Sequence, residues 1–222
     1  MPAAGFRMET RNCTVRVLVA GAMQVSALMS SARDVSGHLV LPENYVLVVG
    51  TVEPRKNLGL IFAAYDLLPE MLRRRFPLVI AGKPGWHTTP IYASATHLVT
   101  QGVVRFIGTV TEKELVVLYQ NATVFAYPSL EEGFGLPPLE AMSHGTPVIV
   151  SDAPVLVEVS GPGALVVSRF DPMDLARALT NLLSDDVRRA ELADRGKRHA
   201  EKYTWMKTAR ETIAVYRQVA GR

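Results

Sequence analysis

Tyr45-Val46-Leu47-Val48-Val49-Gly50 is a short, almost wholly apolar run that stops at a glycine. Polar and apolar residues do not alternate along it. That is the pattern of a strand covered on both faces, as in a parallel sheet. Similar runs return at residues 77–82, 103–108, 123–127, 147–151 and 164–167. Amphipathic stretches separate them. Thr111-Glu112-Lys113-Glu114 fits a capping box, and the helix it starts places Leu115, Leu118, Tyr119 and Ala122 on one face. Thr89-Pro90 and Asp171-Pro172 each set proline just after a capping residue. Leu175, Ala178, Leu179, Leu182 and Leu183 form one apolar stripe. Trp205, Ala209, Thr212, Ile213, Tyr216 and Val219 form another in the last helix, and both stripes read as core packing. Alternating strands and helices predict an α/β fold, a doubly wound parallel sheet of Rossmann-like type with a C-terminal helix.

The bulk properties suit such a fold. The chain has 222 residues, 48% hydrophobic and 20% charged, which is globular rather than disordered. Its 24 Lys and Arg exceed its 21 Asp and Glu by three. The basic residues are scattered and not interleaved with aromatics, which argues against a nucleic-acid partner. The small excess suits an anionic ligand such as a nucleoside diphosphate. Cys13 is the single cysteine, so an internal disulfide framework and a multi-cysteine zinc site are excluded, and a reducing cytosol is the expected compartment. Arg7, Arg11 and Arg16 precede an apolar run at residues 17–29 that has the outline of a signal peptide. Gln24 and Ser26 interrupt it, and it is too short to span a bilayer, so no integral membrane segment is expected. Residues 15–21 read as a strand ending in glycine, but no G-x-G-x-x-G follows. The break at residues 36–44 divides an atypical N-terminal segment, 1–43, from a regular domain, 44–222.

Ligands of open parallel sheets bind beyond the carboxyl ends of the strands. After the first strand come Gly50-Thr51-Val52-Glu53-Pro54-Arg55-Lys56-Asn57, with Asn57 placed to cap the next helix. Two cations at a helix start oppose the helix dipole and make sense if an anion sits between them and the helix, unless they form only a solvated basic turn. Gly82-Lys83-Pro84-Gly85-Trp86-His87 is a loop that a ligand can approach closely, with Trp86 either stacking on it or serving as lid or core. Gly108-Thr109-Val110-Thr111 follows the third strand. The densest stretch follows the fourth: Tyr127-Pro128-Ser129-Leu130-Glu131-Glu132-Gly133-Phe134-Gly135-Leu136-Pro137-Pro138-Leu139-Glu140-Ala141-Met142. Here Glu132 is expected on the loop and Glu140 in the first turn of a helix starting near Pro137. Gly133 and Gly135 free backbone N–H groups for a diphosphate or sugar oxygens, and the carboxylates accept from hydroxyls. The plainer alternative is that Glu140 only favours the helix dipole.

Glu132-x7-Glu140 within this stretch resembles the E-x7-E block of retaining GT-B glycosyltransferases of family four. His144-Gly145-Thr146-Pro147-Val148-Ile149, residues 50–57, residues 105–108, Glu158 and Tyr203-Thr204-Trp205 follow the same family's order. The resemblance covers about residues 44–220. It implies transfer of a hexose from a nucleoside-diphosphate sugar to an acceptor hydroxyl with retention, without a metal or other cofactor. It implies that Arg55 and Lys56 grip the diphosphate, that Glu132 stands near the hexose, and that Gly133, Phe134, Gly135 and Leu136 offer amides to the sugar. Glu140 would meet the ribose, with Gly50 and Thr51 at the donor and Val110 near the base. The Pro-Arg-Lys-Asn form and the match around Gly133 look like mannosyltransferases using GDP-mannose, in polysaccharide assembly in the cytoplasm or at the inner membrane face. Complete members carry an amino-terminal acceptor domain that residues 1–43 do not supply, so an acceptor-binding domain or subunit is an implied partner. A non-catalytic nucleotide-sugar-binding module, or one subunit of a split transferase, is the alternative. A sugar-nucleotide epimerase is disfavoured by the E-x7-E block with Arg55-Lys56, and a nicotinamide dehydrogenase by the missing fingerprint.

Overall fold

In a computed structural model of the chain, residues 39–221 are described. Six parallel strands form one sheet: β1 (Val46–Val49), β2 (Leu78–Ala81), β3 (Val104–Gly108), β4 (Val124–Tyr127), β5 (Val148–Ser151) and β6 (Ala164–Val167). Their spatial order is β3-β2-β1-β4-β5-β6. All six expected strands are present, trimmed by a residue at most ends. The strand and apolar run expected at residues 15–29 lie outside the described residues.

The helices are α1 (Leu58–Leu67), α2 (Glu70–Arg75), α3 (Thr88–Thr100), α4 (Glu112–Asn121), α5 (Leu136–Ser143), α6 (Pro154–Ser160), α7 (Pro172–Leu183), α8 (Asp186–Ala200) and α9 (Trp205–Val219). Alternate strand residues point into two apolar layers. Val46, Val48, Leu78, Ile80 and Phe106 face one layer with Ile61 and Phe62 of α1, Leu98 of α3 and Leu179 of α7. Tyr45, Leu47, Val79, Phe125 and Val150 face the other with Leu118 of α4, Met142 of α5 and Leu156 of α6. This two-sided burial is why the strands carry no alternation in sequence. Fully burying one Leu or Phe contributes roughly 1.5–3 kcal/mol, so the two layers dominate the folding energy.

The caps test the local reading. Thr111 Oγ1 accepts from the Glu114 amide while Glu114 Oε2 accepts from the Thr111 amide, so the capping box is present. Asp171 Oδ1 accepts from the Met173 amide at the start of α7. The Thr89-Pro90 cap is not: α3 begins at Thr88, after His87 in a left-handed conformation, which places Thr89 inside the first turn. The stripe Leu175, Ala178, Leu179, Leu182 and Leu183 is buried as expected. The stripe of α9 is not. No residue of α9 is buried, and Trp205 and Val219 are each 83% exposed. Both sheet faces are already covered by α1 to α8, leaving this amphipathic helix no apolar layer to complete. Among the described residues, no helix is long and apolar enough to cross a membrane.

Candidate functional site

The strand order reverses direction between β1 and β4. A crevice opens at such a switch point because the two flanking loops turn to opposite sides of the sheet. The β1 loop carries Arg55 and Lys56 in a 3-10 turn, Pro54–Lys56, and the β4 loop carries Glu132. The structure brings these three together. Arg55 Nη1 donates to Glu132 Oε2 at 2.7 Å, and Lys56 Nζ donates to Glu132 Oε1 at 2.7 Å. Arg55 Nη2 also donates to Glu53 Oε1 at 2.7 Å. The Glu132 carboxylate thus bridges the two cations from within the chain, so they are not merely a solvated basic turn. Lys56 is only 8% exposed, and a buried ammonium needs a counter-charge within the protein.

Lys56 has a further partner that the sequence did not flag. Its Nζ donates to the Tyr127 hydroxyl at 2.5 Å, at the end of β4. Burial, then the nearby Glu132 charge, push the Tyr127 phenol well above its ordinary value, so it stays protonated. Gly50 leaves room for the lysine: a Cβ there would lie 3.0 Å from Lys56 Cε. Burial raises the Glu132 carboxyl, but the hydrogen bond and charge of Lys56, with Arg55, outweigh burial and hold it below the ordinary value of 4.5.

Asn57 departs from the expected role. It precedes α1, but with φ 55° and no side-chain cap. Its Nδ2 instead donates to Pro128 O at 3.1 Å and Arg169 O at 2.9 Å. A left-handed residue turns its amide away from the helix start and toward the neighbouring loops, and asparagine tolerates that conformation better than most.

The second carboxylate belongs to a separate cluster. α5 starts at Leu136, one residue before Pro137 and so near it as expected, but this puts Glu140 past the first turn, away from the dipole end. There it accepts from the Tyr119 hydroxyl at 3.0 Å, and Tyr119 stacks on His144. Gly133 and Phe134 are exposed on the loop, and Gly135 is buried at the start of α5. Phe134, Leu136, Leu139 and Glu140 line an apolar cleft of about 500 Å³, together with Tyr203 and Trp205. Thr51 lies beside Gly50 on the β1 loop, where Gly85 of the β2 loop packs against its methyl group. Val110 lies past β3, two strands from β1, half-buried against the same apolar layer as Leu115. Trp86 is 58% exposed, which excludes the core role allowed for it. Among the described residues, no group of three or more His, Cys, Asp or Glu is arranged to hold a metal ion.

Residues 34–199 match the family described as glycosyl transferases group 1. The chain belongs to this family. It is 38% identical over 175 residues to O-antigen chain mannosyltransferase B of Escherichia coli, covering 79% of the chain and 46% of that protein. It is 41% identical over 118 residues to a D-inositol 3-phosphate glycosyltransferase of Corynebacterium urealyticum, covering 52% of the chain and 28% of that protein. Among solved structures it superimposes on sucrose-phosphate synthase from Thermosynechococcus elongatus with TM-score 0.68 and 26% identity, over 82% of the chain and 47% of that one. Anabaena HepE, solved in complex with UDP and glucose, shares the fold at TM-score 0.69 and 19% identity, over 80% of this chain and 49% of that one. The chain thus spans less than half the length of these relatives. Its parallel sheet with flanking helices is the Rossmann-like fold of its GT-B structural neighbours, and the relatives it matches include O-antigen mannosyltransferases.

Proposed function

We propose that residues 44–222 are the donor-binding domain of a retaining glycosyltransferase that moves mannose from GDP-mannose to an acceptor hydroxyl during cytoplasmic polysaccharide assembly, at the inner membrane face. The acceptor site belongs to a further domain or subunit. The observation that carries this reading is the meeting of Arg55, Lys56 and Glu132 at the β1–β4 switch point, beside the glycine-bordered start of α5. Identity to mannosyltransferases supports the choice of hexose.

In transfer, the bond from the anomeric carbon to the diphosphate breaks and its electron pair leaves with the diphosphate. The acceptor oxygen bonds to that carbon and passes its proton to an oxygen of the departing diphosphate. Negative charge grows on the leaving diphosphate, where Arg55 and Lys56 stabilise it. Their contacts with Glu132 are exchanged for contacts with phosphate, which frees the carboxylate to accept from hexose hydroxyls. The amides of Gly133, Phe134, Gly135 and Leu136 meet the sugar, Gly50 and Thr51 border the diphosphate, Glu140 holds the ribose beside Tyr119, and Val110 lies toward the base. No cofactor takes part.

Calorimetric titration of the chain with GDP, UDP, ADP and their sugar nucleotides tests the reading. The expected result is saturable binding of GDP and GDP-mannose, weakened at least about 100-fold in an Arg55→Ala/Lys56→Ala variant, as expected for two lost charge-assisted contacts. A folded chain that binds none of them would overturn the donor-site reading, and selective UDP or ADP binding would overturn the choice of donor.

A further inference from the structure

Residues 128–135 carry Glu132 and have no helix or strand structure of their own. Four consecutive carbonyls of this loop nevertheless accept from side chains of three other segments. Pro128 O accepts from Asn57 Nδ2, Ser129 O from Ser151 Oγ, Leu130 O from Arg169 Nη1 and Glu131 O from Arg55 Nη1. The Leu130 amide donates in turn to Arg55 O at 2.9 Å. Arg169 lies on the β6–α7 loop, outside every motif singled out in the sequence. It takes part through three groups: its Nη1 reaches Leu130 O at 2.9 Å, its carbonyl accepts from Asn57, and its amide donates to Asp152 Oδ1 at 3.1 Å. Its Nε also lies 3.1 Å from Asp152 Oδ1, an ion-pair contact off hydrogen-bonding geometry.

We propose that Arg169, locked to Asn57 and Asp152, is a positioning residue that holds the Glu132 loop in register with Arg55 and Lys56. It touches neither the ion cluster nor the crevice chemistry directly. Its effect passes through Leu130, two residues before Glu132. A loop without its own ladder pays conformational entropy for each residue it orders, and side-chain anchors on rigid elements keep a site within the narrow geometry that electrostatic stabilisation needs. Asn57 and Arg169 also connect the β1 loop to the β6 loop across two intervening strands, so the crevice keeps its shape from both sides. The inference rests on the donor-site reading for its consequence in binding, but not for its consequence in loop order.

The test uses the whole chain and three variants: Arg169→Met, Asn57→Gly, which keeps a left-handed residue while removing the side-chain donors, and Arg74→Met on α2 as a control. Amide hydrogen exchange reads the loop, with the Leu130 amide as the direct reporter. The expected result is exchange of Leu130 about tenfold faster in Arg169→Met and Asn57→Gly, with β1 and β4 amides unchanged and Arg74→Met like the parent. Titration with GDP and GDP-mannose, and with UDP and UDP-glucose, reads the consequence. The affinity for the sugar nucleotide is expected to fall about tenfold more than that for the matching diphosphate, because Glu132 serves the hexose. Unchanged loop exchange in both variants would overturn the positioning role, as would equal loosening of loop and strands. If the parent chain binds no nucleotide, the donor-site reading fails while the exchange result still decides for or against the positioning role.

Discussion

Glu132 stands where burial and two cations oppose each other. Its side chain is 9% exposed, as is that of Lys56, so their contact is weakly screened by water, while Arg55 at 41% contributes less. Replacing Glu132 with Gln leaves Lys56 with the Tyr127 hydroxyl but no counter-charge. At pH 7 this is expected to cost about 1–3 kcal/mol in chemical denaturation. The pH dependence has a definite sign. The folded carboxyl is held below 4.5, so its stabilising effect is complete above that pH and is lost as pH falls through the lower folded value. The denaturation curves of parent and Glu132→Gln should therefore converge on acidification below 4.5. A gap that stays constant with pH would show that shape, not charge, sets the difference.

Among the elements, α4 shows how much local signal reaches the structure. Its reciprocal cap at Thr111 and Glu114 is exposed and joins two residues three apart in the chain, so a local sequence motif accounts for it. Thr111→Ala is expected to lower stability by about 1 kcal/mol in thermal or chemical unfolding, with the donor crevice unaffected. α3 and α1 behave differently. Their starts are set by left-handed residues, His87 and Asn57, whose conformations depend on the loops around them. At Asn57 the side chain is drawn to Pro128 and Arg169, and the capping role read from its position is displaced.

At the scale of the whole molecule, α1 to α8 close both faces of the sheet and α9 stands outside them. Trp205, Ile213, Tyr216 and Val219 form an exposed apolar stripe, and Trp205 joins Phe134 and Tyr203 in the cleft beside α5. An exposed apolar stripe of this kind drives association in water. The chain is expected to self-associate as concentration rises, measured by light scattering. An Ile213→Glu/Tyr216→Glu variant should reduce this while leaving the thermal midpoint nearly unchanged, since neither side chain is buried. A large fall in the midpoint would return the stripe to the core.

The sequence by itself determined the six strands, the parallel sheet and the family, because uninterrupted apolar runs, a capping box and the block from Glu132 to Glu140 are local patterns that contacts elsewhere scarcely alter. It also named Arg55, Lys56 and Glu132, though not that they would pair with one another. Only the tertiary structure decided that pairing, the separation of Glu140 beside Tyr119, the use of Tyr127 and Arg169, and the exposure of α9. Each depends on residues far apart in the chain: 76 positions for Lys56 and Glu132, 112 for Asn57 and Arg169. The strand order that carries β4, β5 and β6 to the side of β1 is what places those residues together, and no local pattern encodes which distant loop a side chain will reach.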